Sequence, residues 1–162
     1  MEMTPERVHA ERDRVRDRTD VVDLTNETRA RLAEAFGTGV APVTETAYRN
    51  EVDRVFADGD RAVNVAAYVA LLRDLDVDGD YPGFVVDERL GRLLAATIAG
   101  GEPLSTLAEA TFHYADVHTH ADGPAGADDL AAALAAGFQT RLPGWPWTED
   151  DSPFAVDPGG DA

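Results

Sequence analysis

The sequence predicts an all-α fold: a single compact helical domain of six or seven helices over residues 1–149, followed by a mobile acidic tail over residues 150–162. Three observations predict it. Apolar residues recur at intervals of three and four along most of the chain. Glycine, proline and aspartate divide these stretches into helix-sized lengths. No segment shows the apolar–polar alternation of a half-buried strand. At 162 residues the chain fits one domain. A chain of this size buries roughly 70% of the surface its unfolded form exposes, so the core needs no covalent staple.

Thr4-Pro5 opens the first helix with a capping hydroxyl and a proline at the first helical position, where a missing N–H does no harm. This helix runs over about residues 4–20, with Val8, Val15 and Val22 as its only regular apolar row. Five of the fourteen arginines lie between Arg7 and Arg18, alternating with Glu6, Glu11, Asp13 and Asp17, as in a solvent-laced helix with a thin contact seam. A valine row alone is a weak core, so the expectation is a helix that packs loosely or pairs with a second copy. The second helix spans about Thr25 to Phe36 and stops at Gly37. The third, from Thr44 to Ala57, aligns Tyr48, Val52, Val55 and Phe56 on one face.

Asp60 starts the most apolar stretch, Val63 to Leu75, which has almost no polar face and is expected at the middle of the fold. Asp87 caps the next helix, with Leu90, Leu94 and Ile98 at helical spacing, and Gly100-Gly101 ends it. Pro103 opens the sixth, where Thr106 and Glu109 fit a capping box. Leu104, Leu107, Thr111, Tyr114 and His118 are its expected inward row. The last helix runs from about Asp128 to Arg141, with Leu130, Leu134 and Phe138 inward, and Pro143 ends it.

Charge narrows the chemistry. Fourteen basic residues, all arginine, face 31 acidic ones, for a net charge of −17. Aspartate outnumbers glutamate 20 to 11, and isoleucine occurs once. Such a surface repels itself at low ionic strength, and molar salt, with a Debye length of about 3 Å, removes most of that repulsion. In composition the whole chain resembles the proteins of salt-in halophilic archaea. A carboxylate cluster is therefore a weaker sign of a metal here than in an ordinary protein. The absence of cysteine excludes disulfides, thiolate metal sites and a cysteine nucleophile. No apolar run approaches the roughly 18 residues of a membrane span, and Met1-Glu2-Met3 lacks the basic start of a secretion signal. The expected location is the cytoplasm, with no membrane partner.

Three of the four histidines fall within eight residues. If the sixth helix continues that far, Glu109, His113, Asp116 and His120 lie at i, i+4, i+7 and i+11 on one stripe, a nitrogen and oxygen set suited to divalent zinc, iron or manganese. One straight helix rarely presents more than two or three ligands to one ion, so a facing helix would complete the set. Asp116-Val117-His118-Thr119-His120 resembles the D-x-H-x-H motif of the PHP and amidohydrolase families. That motif belongs early in a barrel of roughly 200 residues or more, and the 42 residues after His120 contain no further histidine. The resemblance therefore carries no family. Asp74, Asp76, Asp78, Gly79 and Asp80 match the first half of an EF-hand loop, but Val85 stands where the bidentate carboxylate belongs. A capping, solvated loop is the expectation there rather than a weak cation site.

Ser105 and Ser152 are the only serines, and neither a nucleophile elbow nor a glycine-rich phosphate loop is present. Acidic neighbours neutralise the arginine row of the first helix, so nucleic acid is not an expected partner. Gly144-Trp145-Pro146-Trp147 holds both tryptophans, a residue enriched at binding hot spots. The favoured expectation is a small non-catalytic intracellular binding or regulatory module. It would contact another protein or a second copy of itself through Val8, Val15, Val22, Trp145 and Trp147. The alternative is a metal-binding protein or metal-dependent enzyme using Glu109, His113, Asp116 and His120. The first is favoured because nothing else in the chain completes an active site.

Overall fold

The computed structural model describes residues 1–75, 86–117 and 126–145, and among them the chain is all-α, with seven helices and no strand. They are α1 (Pro5–Arg16), α2 (Thr19–Phe36), α3 (Glu45–Ala57), α4 (Gly59–Asp74), α5 (Val86–Ala99), α6 (Leu104–Asp116) and α7 (Gly126–Gln139). Local chemistry explains several ends. The Thr4 and Thr44 hydroxyls accept the amides of Arg7 and Ala47 at 3.2 and 3.1 Å, satisfying donors that a helix start leaves open. Gly37 adopts a left-handed φ of 65° at the end of α2, and the amide of Thr38 returns to the carbonyl of Ala33 at 2.9 Å. The expected capping box of α6 does not form: Thr106 lies inside the helix, which starts one residue after Pro103 without a side-chain cap.

The first helix is shorter than expected and better packed. It ends at Arg16, and α2 begins at Thr19, six residues before the expected start. No side chain caps that start; Arg18 instead pairs with Asp20 through two hydrogen bonds of 2.9 Å. The sequence thus carries no conventional start signal there. Val22 belongs to α2 and is buried with Val15 in the main core, while Val8 packs against Ala62 and Ala66 of α4. The Tyr48 hydroxyl of α3 donates to the carbonyl of Val15 at 2.6 Å. The valine row is the inner seam of α1 and α2, so the expectation that it meets a partner is corrected.

The centre of the fold is α7, not α4. Every residue from 129 to 140 is buried, and α7 touches α2, α3, α4, α5 and α6. By contrast α4 leaves Val63 and Leu71 more than 40% exposed. The physical reason is size. Ala131, Ala132, Ala133, Ala135 and Ala136 let neighbours approach from all sides, whereas the bulkier α4 is covered on one side by α1 and α3 and by α5 and α7 elsewhere. Gly137 marks the closest approach: a Cβ there would lie 2.9 Å from Ile98 Cβ and 3.0 Å from the carbonyl oxygen of Ala95. Gly91 of α5 serves the same purpose under the ring of Phe112. Large residues such as Leu94, Ile98, Leu134 and Phe138 fill the remaining space, each worth about 1.5–3 kcal/mol in apolar burial.

Buried polar groups tie the shell to this centre. Glu51 of α3 accepts from Arg141 Nε at 2.6 Å just beyond α7, and Arg141 also donates to the carbonyl of Ala99 at 3.2 Å. Asn26 clasps both the amide and the carbonyl of Val43, fixing the link between α2 and α3.

Replacing Gly137 by Ala is expected to destabilise the protein by about 1–3 kcal/mol, because backbone rather than a flexible side chain must move. Gly39→Ala, with open space around its Cβ, is expected to change stability little. Urea unfolding of both variants in molar potassium chloride checks the contrast.

Candidate functional site

Two adjoining features on one side of the bundle stand out, an acidic junction and an apolar groove. The junction lies where the start of α5, the end of α6 and the start of α7 meet. Asp87 and Glu88 stand in the first turn of α5 and Asp128 and Asp129 in that of α7, where carboxylates suit the helix dipole. Asp116 ends α6, where the dipole opposes it. Glu88 is held by Arg92 one turn on, and Asp87 Oδ1 accepts the amide of Glu88 at 2.9 Å.

Asp129 is only 6% exposed because α7 is the central helix. Burial, a hydrogen bond with Asp87 and the charges of Asp116, Asp87 and Asp128 push its carboxyl up to about 8. Near neutral pH it holds a proton, which it shares with Asp87. Burial also raises Asp116, followed by repulsion from Asp128 and Glu88, while His113 pulls the other way. Sequence reasoning passed over this junction, since aspartates are common throughout the chain. The one available signal was Asp129 leading directly into a fully apolar run.

Beside it, α2 and α6 form a groove of about 540 Å³ lined by Arg31, Glu34, Ala35, His113, Tyr114 and Val117. Tyr114 and Val117 are 40% and 50% exposed, and Phe36 stands 55% exposed at the end of α2. Arg31 is held by Glu27 at 3.2 Å. Tyr114 was expected inward. The buried face of α6 is instead Ala108, Thr111, Phe112 and Ala115, rotated about one residue from the predicted row. Both rows satisfy helical spacing, and the larger apolar ring of Phe112 takes the core.

The histidine stripe is only partly gathered. Glu109 and His113 are exposed and Asp116 is half-buried, while His118 and His120 lie outside the described residues. Among the described residues no group of three or more histidine, aspartate and glutamate side chains is placed to hold a metal ion. Asp74 ends α4 beside Arg73 at 3.5 Å, and the remainder of the aspartate loop, Asp76, Asp78 and Asp80, lies outside the described residues.

Trp145 is fully buried, not displayed. Its Nε1 donates to Gln139 Oε1 at 3.0 Å, and it packs with Leu32 and Ala33 of α2. The guanidinium of Arg29 sits 5.3 Å from its ring centroid. Trp145 thus closes the end of α7 against α2, which corrects its assignment as a partner contact. Trp147 lies outside the described residues.

A family model described as "Domain of unknown function (DUF7984)" matches residues 1–158, nearly the whole chain. No curated protein and no solved structure matches it. Among the described residues no helix is long and apolar enough to cross a membrane.

The buried carboxyl gives a pH test. Asp129 ionises at 3.8 in a reference chain and at about 8 in the fold, so between these values the folded form binds more protons and stability falls as pH rises. Asp129→Asn keeps the shape and cannot ionise. Its melting temperature relative to wild type is expected to climb as pH increases towards about 8 and then level off. Thermal unfolding across that range at fixed salt measures the difference.

Proposed function

Because the chain belongs to the DUF7984 family, whose description names no activity, we propose a function from its geometry: a non-catalytic helical module of a salt-adapted organism, working inside the cell, that binds a basic amphipathic helix of another protein in the α2–α6 groove. The observation that carries this reading is the pair of exposed apolar side chains, Tyr114 and Val117, that line the α2–α6 groove. A groove lined by the Tyr114 ring, Val117 and Ala35 suits apolar anchors one helical turn apart. The polar rim of Arg31, Glu34 and His113 surrounds it, as at protein interfaces.

Charge selects the partner. Molar salt screens most of the repulsion between two copies of a chain carrying −17, so the selection rests on short-range contacts, where a basic segment gains from nearby carboxylates. The acidic junction begins one residue from Val117; burial is the main cause that raises Asp116 and Asp129, and the repulsion that adds to it would be relieved by a guanidinium or ammonium placed there. An apolar anchor in the groove and a cation at the junction can belong to one helix.

The probe is a fluorescently labelled helical peptide with one leucine face and one arginine face, followed by anisotropy. The wild-type protein is expected to bind it, and a Tyr114→Ser, Val117→Ser double variant, which keeps the net charge, to bind at least about tenfold more weakly, or about 1.4 kcal/mol. Equal affinity for both proteins would reduce the interaction to diffuse electrostatics and remove the groove from it. Substituting glutamate for arginine in the peptide should abolish binding.

A further inference from the structure

On another part of the bundle, α1, α4 and α7 enclose a cavity of about 340 Å³, within the size range of small-molecule sites. Its floor is apolar and belongs to the core: Val15, Val69, Leu130 and Leu134 are all buried. Its rim carries Arg14, Arg18 and Arg73, three of the fourteen arginines in a chain where acidic residues outnumber basic ones by more than two to one, and, among the described residues, a single carboxylate, Asp17. We infer that this cavity binds a small amphipathic anion, an oxyanion head on an aliphatic body, with the body on the valine and leucine floor and the head among the three guanidinium groups.

The arginines are fixed before a ligand arrives. Glu11, itself buried beneath the rim, is held by Arg14 at 2.8 Å and by Arg73. Arg18 is clamped by Asp20 through its Nε and Nη2, which leaves Nη1 with both protons to donate. Arg14 meets Glu11 through Nη1, so its Nε and Nη2 remain available to an acceptor. The carboxylates that neutralise these groups, Glu11, Asp20 and, beside Arg73 at 3.5 Å, Asp74, are not part of the cavity lining. A planar guanidinium held from one side presents its other donors in fixed directions, which suits a carboxylate or phosphate head. A cationic amphiphile of the same length would place its charge against those donors and is rejected. This site does not depend on the α2–α6 groove, which lies on different helices.

Calorimetry in molar potassium chloride, with octanoate, octyl phosphate and octylammonium as probes and methyl spectra to locate them, tests this. Either anion is expected to bind and to shift the methyl signals of Val69 and Leu134, the tighter of the two identifying the headgroup, while octylammonium does not bind. The Arg14→Gln, Arg18→Gln double variant removes two exposed or half-exposed side chains and leaves Arg73 on Glu11. It is expected to weaken anion binding at least about tenfold. Octylammonium binding as well as octanoate, unchanged affinity in the folded double variant, or shifts confined to Val117 and its neighbours would overturn the assignment, as would no binding of either anion. Because the charge comparison uses the wild-type protein alone, the inference stays testable even if the double variant fails to fold.

Discussion

Burying one helix on every side governs this structure. An α-helix carries side chains around its whole circumference, so surrounding it requires neighbours that approach closely and side chains short enough to allow it. α7 meets the requirement with alanine at six of its fourteen positions and glycine where α5 crosses. Everything else arranges itself around that choice. α2, α5 and α6 pack directly on α7, α4 adds a further wall, and α1 lies outside it against α3 and α4. The start of α7 then brings Asp129 into the interior against the ends of α5 and α6, which creates the acidic junction.

The interior handles charge in two ways. Glu11 and Glu51 are buried but each is met by two arginines, so their desolvation is offset by strong ionic hydrogen bonds. Arg29 is 1% exposed and has no carboxylate partner among the described residues. It donates to the carbonyls of Ala41 and Pro143 and lies over the ring of Trp145, and burial lowers it to about 10, so it remains charged at neutral pH. Its Nε and Nη1 make no hydrogen bond among the described residues. Gly144 makes room for it: with φ at 110°, a Cβ there would lie 2.7 Å from Arg29 Nη2. One guanidinium therefore joins α2, the α2–α3 link and the segment after α7.

The helical class was legible because it depends on local signals. The threonine caps at Thr4 and Thr44 and the glycine stop at Gly37 act within a few residues of themselves, and they appear where the pattern placed them. Tertiary choices were less legible. Apolar bulk pointed to α4 as the centre, but closeness of approach favours small side chains, and that property shows only once helices are assembled. Phe112 and Tyr114 compete for the same helical period, and the deciding difference is a hydroxyl that prefers water. Val8, Val15 and Val22 share a period of seven but not one helix: α1 ends before Val22, and the three are buried against the chain's own helices in two clusters. The acidic junction joins residues 87, 116 and 129, a proximity that exists only in three dimensions, in a composition where single aspartates carry little information.

On the proposed reading, the groove and the acidic junction act together as an apolar contact surface bordered by closely spaced acidic side chains. In molar salt, long-range repulsion is screened, but a close pair such as half-buried Asp87 and buried Asp129 is screened much less. Local charge can therefore still discriminate between partners where net charge no longer does. The direct test is the titration of the Asp129 carboxyl carbon by nuclear magnetic resonance, in the free protein and with the leucine–arginine peptide bound. The account predicts a midpoint near 8 in the free protein and a lower one in the complex. A midpoint in the ordinary carboxylate range in the free protein, or one that the peptide leaves unmoved, would contradict it.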